Sequence, residues 1–150
     1  MELVLWRHAE AEEGIHDLAR RLTAKGSKQA DKMAAFLRSR LPEDTRIMVS
    51  PAKRAQQTAQ ALTHNFTTEP ALAPGASPQA ILEVANWMDG QGCVLIVGHQ
   101  PALGEAAALL MTGKPEYWSI KKGAVWWFSR RMREEDSEIT LRLIIAPDLL

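Results

Sequence analysis

The sequence predicts an α/β fold, a three-layer sandwich in which a mostly parallel central sheet with an antiparallel edge carries helices on both faces. Three observations predict it. Short apolar runs at Leu3-Val4-Leu5-Trp6, Ile47-Met48-Val49 and Val94-Leu95-Ile96-Val97 each precede a polar turn and a segment of helical periodicity. The last two runs rich in strand-forming residues, 124–129 and 139–145, are separated only by a short charged link. At 150 residues with 46% apolar content, the chain has the length and composition of one packed core. Residues 1–150 are therefore expected to form a single domain.

In order along the chain, the first apolar run reads as a buried strand, with Arg7-His8 leaving its carboxyl end. A polar loop follows over 10–21. Thr23 then caps a helix whose apolar face, Ala30, Met33, Ala34, Leu37 and Leu41, is spaced three and four apart, and Pro42 ends it. The second strand spans 46–49. Ser50 followed by Pro51 signals an N-cap and a first helical turn, which puts Arg54 in that turn. Residues 65–77, with two prolines and a glycine, read as a loop, and Ser77-Pro78 repeats the cap signal for a helix to about residue 88. Asp89-Gly90-Gln91-Gly92 turns the chain into the third strand, over 94–97. Pro101 opens a helix with Leu103, Ala106, Ala107 and Leu110 on one face, fading near Thr112-Gly113, and 114–122 is irregular. The final two strands, linked through 130–137, pair as antiparallel neighbours. The earlier three are joined through helices, which implies right-handed crossovers and a parallel core.

Composition excludes several function classes. Acidic and basic residues balance at 18 each for a formal charge of +0, so the chain carries no global electrostatic footprint for nucleic acid or an anionic membrane. The first apolar run is too short for a signal peptide, and no stretch approaches the roughly 20 apolar residues that span a bilayer. A soluble, cytoplasmic protein is expected. Cys93 is the only cysteine, which precludes an internal disulfide, and its place at the head of a strand reads as a buried structural thiol. Trp87, Trp126 and Trp127 fall in periodic segments and read as packing residues, whereas Trp6, Tyr117 and Trp118 stand as alternatives for the border of a site.

That site is expected at the carboxyl ends of the three strands, where open α/β sheets bind ligands. Arg7 and His8 follow the first strand, Ser50 to Arg54 the second, and Gly98-His99-Gln100-Pro101 the third. Arg7 and Arg54 offer planar forks suited to phosphate, a helix start adds backbone donors, and His99 supplies another donor. The imidazole of His8 can then attack phosphorus, kept neutral by the neighbouring guanidinium charge, with its other ring nitrogen oriented by a backbone carbonyl. A shared metal site for His8, His99 and Cys93 is not expected. Cys93 and His99 lie at opposite ends of one strand, at about 3.3 Å of rise per residue.

Arg7-His8, the segment Ser50-Pro51 to Arg54 to Gln57-Thr58, and Gly98-His99-Gln100-Pro101 resemble, in order and spacing, the histidine phosphatase superfamily with its phosphoglycerate mutase-like fold. Arg20-Arg21-Leu22-Thr23-Ala24-Lys25-Gly26 and the small size further resemble the SixA-type phosphohistidine phosphatases. The resemblance implies that His8 is transiently phosphorylated, that Arg7 and Arg54 clamp the phosphoryl oxygens and that His99 completes the pocket, with no metal or other cofactor. It also makes Arg20 or Arg21 a substrate-binding contact at the rim, against the alternative of a solvated base before a helix cap. His16 and His64 match nothing in the pattern and read as surface residues.

Two departures bear on the substrate. Ala9 stands where the superfamily usually has glycine, and Gln100 rather than a carboxylate follows His99. Glu10, Asp17 and Glu69 remain as candidate acids, each equally readable as a surface carboxylate. An alkoxide leaving group needs a proton in the transition state, but a phosphorylated imidazole, with a parent pKa near 6.5, can depart as neutral imidazole after protonation from solvent. The expected substrate is therefore phosphohistidine on a partner protein, such as a histidine phosphotransfer domain. The alternatives are a broad-specificity phosphomonoesterase acting on a small metabolite and a phosphate-recognition module without turnover.

Overall fold

The central strands are apolar on both faces because both faces are covered. In the structure, a computed structural model that describes residues 1–150, β1 (Glu2–Arg7) lies beside β4 (Cys93–Gly98) in parallel, with Leu3 opposite Val94 and Leu5 opposite Ile96. Side chains alternate across a strand. Leu3, Leu5, Val94 and Ile96 face one layer, where Ile81, Leu103, Ala106 and Ala107 pack. Val4, Trp6, Leu95 and Val97 face the other, against Met33, Leu37, Ala55 and Ala59. The first layer is α3 (Pro78–Val84) and α4 (Ala102–Thr112). The second is α1 (Ala24–Arg38) and α2 (Lys53–Gln60).

With β2 (Arg46–Val49), β3 (Thr67–Thr68), β5 (Val125–Arg133) and β6 (Asp136–Ile145), the six strands form one sheet in the order β3-β2-β4-β1-β5-β6. The first four strands pair in parallel, and β5 pairs antiparallel with both β1 and β6. The predicted three-layer sandwich with an antiparallel edge is the observed architecture.

The chain leaves the ends of the adjacent strands β1 and β4 towards opposite layers, β1 towards α1 and β4 towards α4. A crevice must open between two connections that diverge in this way. The β1–β4 register places Arg7 opposite Gly98, so His8 and His99 are the next residues on either side of that crevice.

Several elements differ from their sequence pattern for local reasons. α1 stops at Arg38 rather than at Pro42, and Leu41 still packs on the core because its N–H bonds back to the Leu37 carbonyl. α3 ends at Val84, and Asn86 turns the chain with a φ of 51°. Within 65–77, Thr67 and Thr68 pair with Met48 and Val49 to make the edge strand β3, a two-residue element too short for any periodicity to reveal. The charged link 130–137 is mostly strand, extending the hairpin to Arg133 and Asp136 in positions that are solvent-exposed.

The first turn of α1 is pressed against the loop that follows β1. Thr23 caps it by accepting from the Gly26 N–H at 2.9 Å, while its own hydroxyl donates to the Glu10 carboxylate at 2.9 Å. A Cβ at Gly26 would stand 2.0 Å from the Glu10 carbonyl oxygen, so only glycine fits. Gly26→Ala is expected to lower stability by about 1–3 kcal/mol through this overpacking, read as a shift in the urea midpoint at unchanged slope.

Candidate active site

His8 and His99 face each other across the crevice, with ring centroids 5.1 Å apart and planes tilted by 54°. Both rings are buried, at 8% and 5% exposure. The backbone around them is clamped. The His8 N–H donates to the Gly98 carbonyl at 3.1 Å, and the Gly123 N–H donates to the carbonyls of both Arg7 and His8 at 3.1 Å. Gly123 reaches this position with a φ of 73°, a left-handed conformation that glycine adopts without steric cost.

The His8 Nδ1 lies 2.7 Å from the Ala9 carbonyl oxygen, which can only accept, so Nδ1 carries the proton and Nε2 holds a lone pair. A backbone carbonyl thus orients the ring, as expected from the sequence. Ala9 is in turn fixed by Thr58, whose Oγ1 accepts from the Ala9 N–H at 3.0 Å and donates to the Arg54 carbonyl at 2.7 Å.

Arg54 is the second residue of α2 and only 4% exposed. Its Nη1 donates to the Asp17 carbonyl at 2.7 Å and its Nη2 to the Asp17 carboxylate at 3.2 Å. Arg7 donates through Nη1 to the Ile120 carbonyl at 2.7 Å. Neither fork is therefore wholly free, as a simple bidentate clamp would require. The Nε atoms of Arg7 and Arg54 and the Nδ1 of His99 are nonetheless buried without a hydrogen-bond partner. Buried polar groups are nearly always partnered, so three orphans from three neighbouring side chains mark a place built for a ligand rich in acceptors.

Electrostatics agree. Burial, then the charges of Arg54, Arg7 and Arg20, push the His8 pKa down to about 4 against the opposing bond to Ala9. Burial, then His8 and Arg54, push His99 down to about 3. From sequence, the guanidiniums were expected to keep His8 neutral; desolvation contributes more. Burial raises the Asp17 carboxyl, but hydrogen bonds from Arg20 and Arg54 outweigh it and hold the group below its ordinary value. Asp17 is an ionised partner of the arginines and is poorly suited to donate a proton.

The remaining residues singled out by sequence fall into three positions. Arg20 reaches the site through Asp17, with its Nη1 3.2 Å from the carboxylate and its Nε on the Glu12 carbonyl at 2.7 Å. Arg21 is exposed and lines a shallow outer groove with Leu18, Lys53 and Gln57. Glu10 is engaged by Thr23, while Glu69 precedes the short turn Pro70–Leu72 next to β3. The Gln100 amide spans the Trp118 carbonyl and the Gly104 N–H, both at 2.8 Å. Trp6 is wholly buried, with its Nε1 on the Gly123 carbonyl, and Trp118 packs on Trp126. Tyr117 is 70% exposed; burial lowers the Arg7 pKa, against a smaller opposing effect of Tyr117. His16 and His64 are exposed, and Cys93 is buried at the far end of β4.

Sequence reasoning missed the work of three polar residues. Ser50 does not cap α2, which begins at Lys53. Its Oγ instead accepts from the Ala52 N–H at 3.1 Å and lies 2.7 Å from the His99 Nε2. Gln57 accepts from the Leu22 N–H at 2.8 Å and ties down the 10–22 loop, and Thr58 positions Ala9. The spacing of Arg54 and Thr58, four apart on one helix face, was the available signal.

Comparison with known proteins fits this geometry. Residues 3–75 match the family model of the histidine phosphatase superfamily, branch 1. A phosphohistidine phosphatase SixA homolog of Haemophilus influenzae is 32% identical over 126 residues, covering 73% of this chain and 77% of that protein. SixA of Escherichia coli K12 is 28% identical over 124 residues, 76% of each chain. A solved SixA structure, complexed with tungstate, superposes with a TM-score of 0.80 over 99% of both chains at 23% identity. The chain belongs to the histidine phosphatase superfamily and is a phosphatase. Within that superfamily its similarity is to the SixA type.

Two imidazoles held neutral by the fold make stability depend on pH. Their folded pKa values, about 4 and about 3, lie below the ordinary 6.5, so as the pH falls the unfolded chain binds protons first. Their contribution is full above about pH 6.5 and is lost progressively towards pH 4 and below. Thermal denaturation across this range should show that decline, and imidazole resonances of His8 and His99 should remain those of neutral rings down to about pH 5.

Proposed function

We propose that the chain is a single-domain cytoplasmic phosphohistidine phosphatase that hydrolyses phosphohistidine on a partner protein, such as a histidine phosphotransfer domain, through a phospho-His8 intermediate. The observation that carries this reading is the set of unpartnered buried nitrogens on Arg7, Arg54 and His99 beside the free Nε2 of His8. A phosphoryl group in that hole gains donors for its oxygens where charge develops during transfer. Tungstate, the oxyanion in the SixA complex of the same fold, is tetrahedral like phosphate.

In the first step the His8 Nε2 lone pair forms a bond to phosphorus as the P–N bond of the substrate breaks. The leaving imidazole, protonated beforehand on its other nitrogen, departs neutral. Phospho-His8 keeps its proton on Nδ1, stabilised by the Ala9 carbonyl. In the second step water attacks phosphorus, the P–Nε2 bond breaks and His8 leaves as the neutral Nδ1–H imidazole. The water's excess proton stays on the released phosphate. Neither step demands a strong general acid, which suits a site where Asp17 is ionised and Gln100 is bound elsewhere.

The class of substrate is supported by access as well as chemistry. An open cleft lined by Arg7, Glu10, Lys25, Lys121 and Lys122 lies on the Arg7 side of the site. Its open, charged rim, beside one of the site arginines, suits the approach of a folded protein carrying the phosphorylated side chain. The named relatives in Haemophilus influenzae and Escherichia coli are described as a phosphohistidine phosphatase homolog and a phosphohistidine phosphatase.

Mixing the protein with a phosphohistidine-bearing phosphotransfer protein and quenching rapidly should show label on His8 that is stable in base and lost in acid. His8→Ala should abolish turnover, and full hydrolysis by that variant ends the mechanism. Arg54→Ala should lower kcat by about 10²–10³-fold, the scale of losing a donor to transition-state charge, and Glu10→Gln by much less. Faster turnover of sugar phosphates than of phosphohistidine would make the enzyme a phosphomonoesterase. Phosphate binding without a phosphoenzyme would make it a recognition module.

A further inference from the structure

Ser50 is fully buried, and its hydroxyl has one proton and two lone pairs to place. The Ala52 N–H, at 3.1 Å, takes one lone pair. The remaining hydrogen-bond contact of the Oγ is the His99 Nε2 at 2.7 Å, the acceptor available to the hydroxyl proton. Were His99 to donate from Nε2 instead, the hydroxyl proton would lie buried without an acceptor, which costs free energy. The bond therefore runs from Ser50 O–H to His99 Nε2, and the proton of the neutral ring must be on Nδ1. That Nδ1 is buried without a hydrogen-bond partner, like the Nε atoms of Arg7 and Arg54.

We infer that Ser50 is a positioning residue that acts through His99, holding it in the Nδ1–H tautomer so that the ring presents a donor, not a lone pair, to an anion in the hole. The inference rests on the phosphoryl-binding reading of that hole and deepens it. With the opposite tautomer, Nδ1 would direct a lone pair at phosphoryl oxygens and repel them. Ser50 can make this choice because its backbone is itself fixed. Its N–H donates to the Val97 carbonyl at 3.1 Å across the β2–β4 pairing, and its carbonyl accepts from the Gln56 amide at 2.7 Å. Strand pairing thus determines where the hydroxyl points, and the Ala52 N–H determines which way its proton faces.

The test uses the unphosphorylated protein with inorganic phosphate, so that its outcome is separate from whether phosphohistidine is the substrate. In the wild type, nitrogen resonances should show a pyrrole-type Nδ1 and a pyridine-type Nε2 at His99, and phosphate should shift the Nδ1–H resonance. Ser50→Ala should shift the ring to Nε2–H or to a mixture and weaken phosphate binding by about 10- to 100-fold, the scale of one charge-assisted hydrogen bond. Ser50→Thr, which keeps the hydroxyl, should restore both tautomer and affinity. A wild-type ring protonated on Nε2 overturns the inference whether or not the variants fold. So does a Ser50→Ala protein that loses only thermal stability while its His99 tautomer and phosphate affinity stay as in the wild type.

Discussion

The parallel pairing of β1 with β4, in the register that sets Arg7 opposite Gly98, is the constraint on which the site depends. Each strand delivers one histidine just past its last paired residue. The connections diverge to opposite layers, and the two rings meet between them with centroids 5.1 Å apart. A slip of one residue would turn every core side chain of a strand to the wrong face, and both layers of core oppose it. The cost of unfolding two hydrophobic layers thus defends the spacing of two polar side chains.

Around that pairing, the helix after β2 serves as a scaffold for the other strand ends. Arg54 contributes charge, Thr58 holds Ala9 and through it the carbonyl that orients His8, and Gln57 anchors the loop carrying Asp17 and Arg20. Just before the helix, Ser50 touches His99. Four side chains within nine residues therefore reach three segments: the 10–22 loop, the end of β1 and the end of β4. A short helix can do this because positions three and four apart share a face, while those between them point elsewhere.

The long, periodic elements and the meeting of Arg7, His8, Arg54 and His99 were legible in the sequence, since buried strands advertise themselves by unbroken apolar runs and strand ends by the polar residues just beyond them. The sequence was mute about β3, where two threonines among turn formers pair only because β2 offers a free edge. Ser50 was misread because a serine before a proline has two uses, capping a helix or bonding something distant, and only the distant partner decides between them. Charge was overrated relative to burial at His8, because depth below the surface is a property of the assembled layers and not of neighbouring residues. Asp17 on Arg54 was equally hidden, being a contact across 37 positions of chain between a loop and a helix.

Arg7 and Arg54 each hang from a main-chain carbonyl, those of Ile120 and Asp17. Immobilising a long, rotamer-rich side chain when a ligand binds costs about 0.5–1.5 kcal/mol of conformational entropy. Here the loss falls on folding, before any anion arrives, and the guanidinium planes are already set. An oxyanion entering the proposed site would meet a preorganised rim, so little of its interaction energy would be diverted into arranging the host.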